Sequence, residues 1–406
     1  MNTTNTPPQG GLAQGVFDGI RVLDIGHVVA GPFVASVMAD FGADVIKIEK
    51  PGTGDPLRWI YPKDQVGLFY KMQARNKQSI TLDLKHPEGK ALFLDLVARS
   101  DVLVENFRPG VMERLGLGWD VLSEINPRLI LCRLSGFGQT GPYAGRRAYG
   151  RIGEAFAGFA HITGDPNGPP SHSQMSVGDT VAGTWAAMGV MMALYWRDAQ
   201  AGGVGQVIDI GLYEGLFRQI EQQVIVYDQL GKALERTGSN HRNVPYTGLF
   251  KTGDGGYYSF SAVTERSARD ILAAMGMEQD DRFNTFERCM QHRDAFADAV
   301  TEWMGTRSLK EIDERFQRHD APGTPVKSIA DLMDDPHIQA REMVVSVPDK
   351  ELGTVRMQGV VPKLSRTPGK IRHAGQVLGE SNGNVYQDLL GCTEARLQEL
   401  RGKGVI

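Results

Sequence analysis

Short apolar runs alternate with helix-forming segments over the first third of the chain. Five of these runs are predicted to be strands: Ile20–Ile25, Asp44–Glu49, Ser79–Leu84, Asp101–Glu105 and Leu129–Ser135. A proline opens two of the intervening helices, at Pro32 and Pro87, where an amide donor is not needed. Strands joined by helices form right-handed parallel units, and repeated units place helices on both faces of one sheet. The sequence therefore predicts an α/β fold.

The loop after the first predicted strand bears on whether this sheet binds a dinucleotide. Glu49 ends the second strand, about where a dinucleotide-binding fold carries the acid that contacts the ribose. The loop Gly26–Pro32 has no G-x-G-x-x-G pattern, however, and Pro32 lacks the amide that a phosphate would need. An NAD-dependent oxidoreductase is therefore the less favoured interpretation.

The pattern of the chain changes near residue 232. Two strands, Thr247–Phe250 and Tyr257–Ala262, flank the turn Gly253–Gly256, and helical segments follow as far as His319. We predict a smaller α+β domain here, at 226–334, and a large domain built from 17–225 and 335–406, after a loose tail at 1–16. Further predicted elements are two long helices and one late strand: Tyr213–Leu230, Val385–Lys403 and Val355–Lys363.

Composition excludes several classes of function. The 406 residues carry 44 basic and 48 acidic side chains, and a net charge of −4 argues against a nucleic-acid partner. The three cysteines are far apart, so no disulfide framework or zinc site is expected and a reducing cytoplasm is the simplest location. No run of about eighteen apolar residues exists, and the polar N-terminus does not resemble a signal peptide, so we expect no membrane association.

The stretch Ser176–Gly183 contains the most informative carboxylate. Asp179 follows a glycine and precedes a segment of small and apolar residues that continues to Arg197 without proline or interior charge. This pattern predicts a buried helix with Asp179 in its first turn. The helix N-terminus favours negative charge, so we expect an ionised carboxylate at neutral pH. Such a group acts either as a helix cap or as a nucleophile, and the residues alone leave both open.

Several stretches together resemble the class III CoA-transferase family, which includes formyl-CoA transferase, carnitine CoA-transferase and the benzylsuccinate CoA-transferases. They extend over nearly the whole chain after the tail: Val22–Gly31, Gly42–Glu49, Asn76–Leu84, Val104–Gly116, Ser135–Pro142, Gly164–Pro170, Ser176–Gly183, Gly205–Gly215 and Asp254–Gly256. The resemblance implies a nucleotide-binding-like large domain with a smaller domain inserted in it. It also implies an interlocked dimer, either of identical chains or with a related subunit.

The resemblance assigns roles to individual residues. Coenzyme A enters as acyl-CoA, a substrate, and no permanently bound cofactor is implied. The residue at the position of Asp179 is the nucleophile, and Val28 and Ala30 line the pocket for the pantetheine arm. The remaining candidate CoA-binding residues are spread over the chain: Lys50 near the adenine; Lys77, Asn106, Phe107 and Arg114 along the nucleotide path, with Arg108 as a further candidate; and Arg147 and Tyr149 near the thiol.

Departures from the family pattern limit which substrates and which reaction are expected. Formyl-CoA transferase carries glutamine where this chain has Val29, and its glycine-rich loop is longer than the turn containing Gly255 and Gly256, which disfavours formyl and oxalyl substrates. Racemase relatives place a histidine near Arg147, and arginine cannot shuttle protons at neutral pH. The expected reaction is therefore transfer of CoA from an acyl-CoA, with succinyl-CoA favoured, to a carboxylic acid. A non-catalytic acyl-CoA-binding subunit is a further alternative.

Positive charge near the predicted site suggests a substrate with a second carboxylate. The charged residues are clustered in segments expected to border it: Arg146, Arg147, Arg151, His172, His241 and Arg242. Binding of CoA phosphates, or an ordinary solvated surface, explains the same charges equally well. His241 is placed with Val29, Gly255 and Gly256 among the candidate substrate contacts, and an aromatic acid remains open as the substrate.

Overall fold

A computed structural model describes residues 15–200, 202–241 and 243–406. Most of the predicted tail at 1–16, together with Arg242, lies outside the described residues. The chain forms two compact units. The first contains the described residues up to Phe159, Ser173–Glu221 and Ala340–Ile406, and the second contains Ala160–His172 and Gln222–Gln339. The sequence-based division instead placed residues 160–172, 222–225 and 335–339 in the large domain.

The first unit is built on a six-stranded sheet in which every neighbouring pair of strands is parallel. Its strands are β1 (Arg21–Asp24), β2 (Asp44–Glu49), β3 (Lys77–Thr81), β4 (Val102–Glu105), β5 (Ile130–Ser135) and β6 (Val207–Gly211). Their spatial order is 3-2-1-4-5-6, the order of doubly wound nucleotide-binding folds. The predicted α/β class with a parallel central sheet is thus confirmed.

Helices surround this sheet. They are α1 (Ala30–Asp40), α2 (Leu68–Gln73), α3 (Pro87–Val97), α4 (Val111–Arg114), α5 (Trp119–Ile125), α6 (Gly150–Phe156), α7 (Val177–Ala199) and α8 (Glu214–Gln219). A short 3₁₀ helix at Pro56–Trp59 and a hairpin of Pro62–Lys63 with Val66–Gly67 follow β2.

Alternate side chains of the central strands enter two separate cores. Val22 and Val102 pack with α1 and α7 on one face of the sheet. Leu23 and Leu103, their neighbours in sequence, pack on the other face with α3 and the C-terminal segment. Strands covered on both faces are apolar almost without interruption, which explains the runs in the sequence.

The longest helix, α7, is central to the first core. Among the described residues it is the single helix long and apolar enough to cross a membrane by length and composition, which differs from the expectation that none would be. Small residues raise its mean hydropathy without forming an unbroken apolar run. Ala182, Ala186 and Val190 are buried in the core, as in the core helices of soluble proteins, which pass the same test.

The second unit contains a three-stranded antiparallel sheet of order β9-β8-β7, formed by β7 (Thr247–Lys251), β8 (Tyr257–Ser261) and β9 (Gly323–Pro325). The helices of this unit are α9 (Gln223–Leu230), α10 (Glu265–Met275), α11 (Phe286–Gln291), α12 (Arg293–Gly305), α13 (Leu309–Arg318), α14 (Ile329–Met333) and α15 (Pro336–Ala340). Aromatic side chains, among them Tyr246, Phe296 and Phe316, fill its core.

Three predicted elements differ from the structure. The helix expected at Tyr213–Leu230 is broken, because Glu221 adopts a φ of 53° between α8 and α9. The C-terminal helix is a π-helical turn at Asn384–Leu389 followed by α16 (Glu394–Gly402), with Gly391 at φ 73° between them. The late strand is β11 (Gly353–Gln358), and it pairs with β10 (Val344–Asp349), which was not predicted from the sequence.

Candidate active site

The carboxyl ends of β1 and β4 lie side by side at the centre of the sheet, where the strand order reverses. Ligands of open α/β sheets bind at this switch point. The loop after β1 carries His27, Val28 and Val29, and the loop after β4 carries Asn106 and Phe107. Four of these five residues were singled out from the sequence, and His27 was not.

A reciprocal pair of hydrogen bonds ties the two loops together. The backbone amide of His27 donates to Asn106 Oδ1 at 2.7 Å, and Asn106 Nδ2 donates to the His27 carbonyl at 2.8 Å. Val28 has a φ of 63°, a strained conformation for a β-branched residue. Its amide donates to Asp55 Oδ2 at 3.2 Å, which helps to hold that conformation. Strain of this kind is typical of ligand-binding loops.

A network of buried charges supports these loops from below. Lys77 Nζ lies 2.9 Å from Asp24 Oδ2 and donates to the Pro32 carbonyl at 2.6 Å. Lys47 Nζ lies 3.5 Å from Asp24 and 3.4 Å from Asp55. Burial alone would raise the pKa of Asp24, but the two lysines hold it below its usual range. The structure does not support the expected place of Lys77 on the nucleotide path, because its side chain is 1% exposed and already paired.

Asp179 opens onto a cavity of about 460 Å³ at the switch point. The cavity brings together seven of the residues chosen from the sequence: Val28, Val29, Ala30, Lys50, Asn106, Tyr149 and Asp179. Their proximity depends on the fold, since they come from the loops after β1, β2 and β4, from the first turns of α1 and α7, and from the residue before α6.

A second cavity of about 220 Å³ lies beside the ends of β1, β2 and β3. Phe107 lines it, as do Leu84 and Lys85, which follow β3 and were not selected from the sequence. The rule that drew attention to Asn106, a residue just beyond a strand's carboxyl end, would have selected Lys85 as well, since it directly follows the predicted strand Ser79–Leu84. His27 and Lys50 line both cavities.

Two glycines allow the first turns of α6 and α7 to touch at Asp179. A Cβ atom at position 150 would lie 2.3 Å from Asp179 Oδ2, and one at position 178 would lie 2.3 Å from the Gly150 carbonyl oxygen. The Gly150 amide hydrogen-bonds the Asp179 carboxylate. The Ser176 side chain does not cap α7. Asp179 is therefore held by the backbone of α6 rather than by its own helix.

The electrostatics of Asp179 differ from the sequence expectation. Burial, reinforced by the nearby carboxylate of Glu154, raises the pKa of Asp179 to about 6, and the Gly150 hydrogen bond opposes this only in part. The helix N-terminus was expected to favour ionisation; burial outweighs it. At pH 7 the ionised form still predominates. Glu154 is fully buried in α6, and its Oε1 accepts from the Gly178 amide at 3.4 Å.

The remaining candidates lie outside both cavities. Arg108 Nη2 donates to the Gly145 carbonyl at 2.7 Å, and Arg114 belongs to α4. Arg147 is exposed and lines neither cavity. The three expected substrate contacts other than Val29 are in the second unit, and neither cavity includes them: His241, Gly255 and Gly256.

Fold and site together define an α/β protein of the nucleotide-binding type, with a carboxylate in the first turn of its longest helix and two adjacent cavities at the carboxyl ends of its strands. Comparison with known families makes this specific. The chain belongs to CoA-transferase family III, whose model matches residues 17–382. It is a class III CoA-transferase, and CoA thioesters are its substrates.

Two relatives from Chloroflexus aurantiacus illustrate the similarity. The chain is 41% identical over 394 residues to succinyl-CoA–D-citramalate CoA-transferase, with 96% of this chain and 98% of the relative covered. It is 40% identical to the beta subunit of succinyl-CoA–L-malate CoA-transferase, with 96% and 97% covered. A solved structure of a CAIB/BAIF family protein from Brucella suis matches with a TM-score of 0.83 at 28% identity, over 93% of this chain and all of that one. These findings leave the oxidoreductase alternative without support.

Proposed function

We propose that the protein transfers CoA from succinyl-CoA to a small hydroxylated dicarboxylic acid, with Asp179 as the covalent nucleophile. The observation that carries this proposal is the Asp179 carboxylate, which lines the larger cavity and is held against the Gly150 amide. The choice of acids rests on the relatives, whose names specify succinyl-CoA with D-citramalate or L-malate.

The reaction divides into four balanced acyl transfers. Asp179 attacks the succinyl thioester carbonyl, forming a mixed anhydride and releasing CoA thiolate. The thiolate attacks the Asp179 carbonyl, which forms an aspartyl-CoA thioester and frees succinate. The acceptor carboxylate attacks this thioester, giving a second mixed anhydride and CoA thiolate. The thiolate finally attacks the acceptor carbonyl, so the new acyl-CoA leaves and the Asp179 carboxylate is restored. A covalent nucleophile thus replaces one difficult exchange by easier steps.

The surroundings of Asp179 suit this role. A pKa of about 6 keeps the carboxylate mostly ionised at pH 7 but more basic than an exposed aspartate, which favours nucleophilic attack. When its own carbonyl is attacked, negative charge develops on an oxygen beside the Gly150 amide. A donor placed at such an oxygen is worth about 10²–10³ in rate. Partial burial of the carboxylate limits access of water to the anhydride.

The two cavities offer places for the parts of acyl-CoA. The larger one, next to Asp179, would hold the thioester and pantetheine arm along Val28 and Ala30. The smaller one has apolar walls and includes Phe107 and Lys85, which suits the adenine and its phosphorylated ribose. Tyr149 is exposed at the entrance of the larger cavity and remains our candidate at the thiol end.

A covalent-trapping experiment tests this proposal. After incubation with succinyl-CoA and then hydroxylamine, mass spectrometry should find a hydroxamate on the peptide containing Asp179. Asp179→Asn should yield no modified peptide and lose transferase activity. Asp120→Asn is the matched control, because Asp120 is an exposed acid in the first turn of α5, outside both cavities. Full turnover by Asp179→Asn, with the amide intact, would rule out the covalent mechanism.

The acceptor is tested separately. With succinyl-CoA as donor, D-citramalate, L-malate and itaconate are compared with propionate and benzylsuccinate at equal concentration. We expect the hydroxylated dicarboxylates to give the highest kcat/KM. Preference for the monocarboxylic or aromatic acid would overturn the acceptor assignment and leave the nucleophile in place.

We also propose that two chains associate into the interlocked dimer that the family resemblance implies. The outer face of α7 supports this, because Met192, Tyr195 and Trp196 are each about half exposed or more there. Contiguous apolar surface of this kind marks an interface. The beta-subunit name of one relative leaves a related chain open as the partner.

Mass and exchange measurements distinguish these assemblies. Light scattering of the purified protein should give the mass of two 44.5-kDa chains. Tagged and untagged proteins mixed in the native state should not exchange chains, whereas refolding them together should. A monomer that turns over at the full rate would contradict the proposal.

A further inference from the structure

His27 lies where the two cavities adjoin, a place that we call the passage. Among the described residues, His27 and Lys50 are the two that line both of them, so a ligand that extends from the Asp179 cavity to the Phe107 cavity would run beside these two side chains. In acyl-CoA the thioester and the adenine are joined by the pantetheine arm and a diphosphate. The diphosphate is the charged part of that connection, and the passage presents a cation and an imidazole.

The imidazole is held so that one edge remains available. Its Nδ1 is buried, has no hydrogen-bond partner among the described residues, and lies 3.9 Å from Asp55 Oδ2. The side chain is nevertheless 42% exposed, so its exposed surface belongs to the rest of the ring, which includes Nε2. The ring also packs against Phe107, with centroids 5.3 Å apart, and the backbone on either side of it is fixed by Asn106.

We propose that His27 is a ligand for the diphosphate of acyl-CoA and binds it in the protonated form. This assignment rests on the proposed use of acyl-CoA by the same site. Protonated His27 would direct Nδ1–H toward Asp55 and Nε2–H toward the diphosphate. The imidazole then bridges a buried carboxylate and the incoming anion, and its unpartnered nitrogen gains a partner.

The charges around the ring explain why protonation would accompany binding. Burial lowers the pKa of His27, and Lys47 lowers it further, while Asp55, Asp24 and Glu49 oppose the shift. Lys50 is the other charged group in the passage. In the free protein at pH 7 the imidazole is therefore neutral. A bound diphosphate adds negative charge next to it and raises its pKa, so the site takes up a proton.

Calorimetry with 3′-dephospho-CoA tests this assignment, because the diphosphate is the only phosphate group of that probe. Titrations at pH 7 in PIPES and in Tris buffer, which differ in ionisation enthalpy and contain no phosphate, give the number of protons taken up. We expect uptake of a substantial fraction of a proton by the wild-type protein. His27→Gln should abolish the uptake and weaken binding about tenfold or more, the usual size for a charge-assisted hydrogen bond. Pantetheine should bind both proteins equally.

The control is His319→Gln, at the exposed end of α13, which should leave uptake and affinity unchanged. The wild-type protein alone can contradict the assignment of His27, because binding of 3′-dephospho-CoA without proton uptake would rule out a protonated imidazole. This result does not depend on whether His27→Gln folds. Unchanged affinity in His27→Gln would also contradict the assignment. If the wild-type protein bound no 3′-dephospho-CoA, the proposed function would fail as well. If instead Asp179 proved not to be the nucleophile, these binding results would still be expected.

Discussion

Gly150 and Asp179 are in such close contact that residue 150 cannot carry a side chain without displacing the carboxylate, since a Cβ atom would lie 2.3 Å from Oδ2. The two residues are 29 positions apart in the sequence, and packing of α6 against α7 brings them together. The geometry of the proposed nucleophile is therefore set by a residue whose side chain is a single hydrogen atom.

Replacement of Gly150 by alanine should reduce kcat by about 10² or more, because a displacement of about 1 Å can have that effect. The helix itself should tolerate alanine. Steady-state kinetics with succinyl-CoA measures the loss. Gly145→Ala is the matched control, as a Cβ there meets no atom within 4 Å. Equal activities of the two variants would show that the Gly150 contact does not position Asp179.

Substitution of Glu154 by glutamine should move the acid limb of the pH–rate profile to lower pH. The Glu154 carboxylate helps to raise the pKa of Asp179, so removing its charge lets Asp179 ionise at lower pH and stay active there. Glutamine retains an oxygen for the Gly178 amide. Profiles of kcat/KM between pH 4.5 and 8 provide the measurement, with Glu124→Gln on α5 as the control. An acid limb that does not move in Glu154→Gln would contradict the expected effect of the Glu154 charge on Asp179.

Asp179 should also affect stability. Its pKa is raised from 3.8 to about 6 in the folded protein, so the folded state binds this proton more tightly than the unfolded state. The stabilisation that results is complete below the pKa of Asp179 in the unfolded state and is lost as pH rises through about 6. A difference of about two pKa units corresponds to at most ~3 kcal/mol.

Asp179→Asn should therefore melt at a higher temperature than the wild type at pH 7, and the difference should shrink as pH falls toward 4. Differential scanning calorimetry of both proteins across this range measures it. Asp120→Asn, in which an exposed acid is replaced, should show no such trend. A variant no more stable than the wild type at pH 7 would indicate that ionised Asp179 is not destabilising in the folded protein.

Local patterns were sufficient to predict the sheet and several residues that line the candidate cavity. The apolar runs that became β2 and β5 are covered on both faces, so their composition reports their burial directly. Asn106 was found because residues just after a strand usually meet a ligand. Gly150 and Glu154 gave no such signal, since their proximity to Asp179 arises only when α6 packs on α7.

Lys77 illustrates a sequence-based prediction that the structure does not support. Its position in a family motif suggested contact with the nucleotide, but a side chain on a buried strand of a doubly covered sheet points into the interior. There it neutralises Asp24, and the pair lies beneath the loop that carries His27 and Val28. A basic residue on a central strand is thus better interpreted by looking for its buried acidic partner.

This distinction between Lys77 and Lys85 yields the last prediction. Lys77→Met removes one partner of a buried ion pair, and loss of such a partner typically costs about 3–5 kcal/mol. It should lower the free energy of unfolding in urea by an amount of this order. Lys85→Met removes an exposed cation that lines the second cavity. It should raise the KM for succinyl-CoA while the free energy of unfolding stays within about 0.5 kcal/mol of the wild-type value. The opposite pattern, with KM sensitive to Lys77 and stability sensitive to Lys85, would restore the role first inferred for Lys77 and remove Lys85 from the nucleotide cavity.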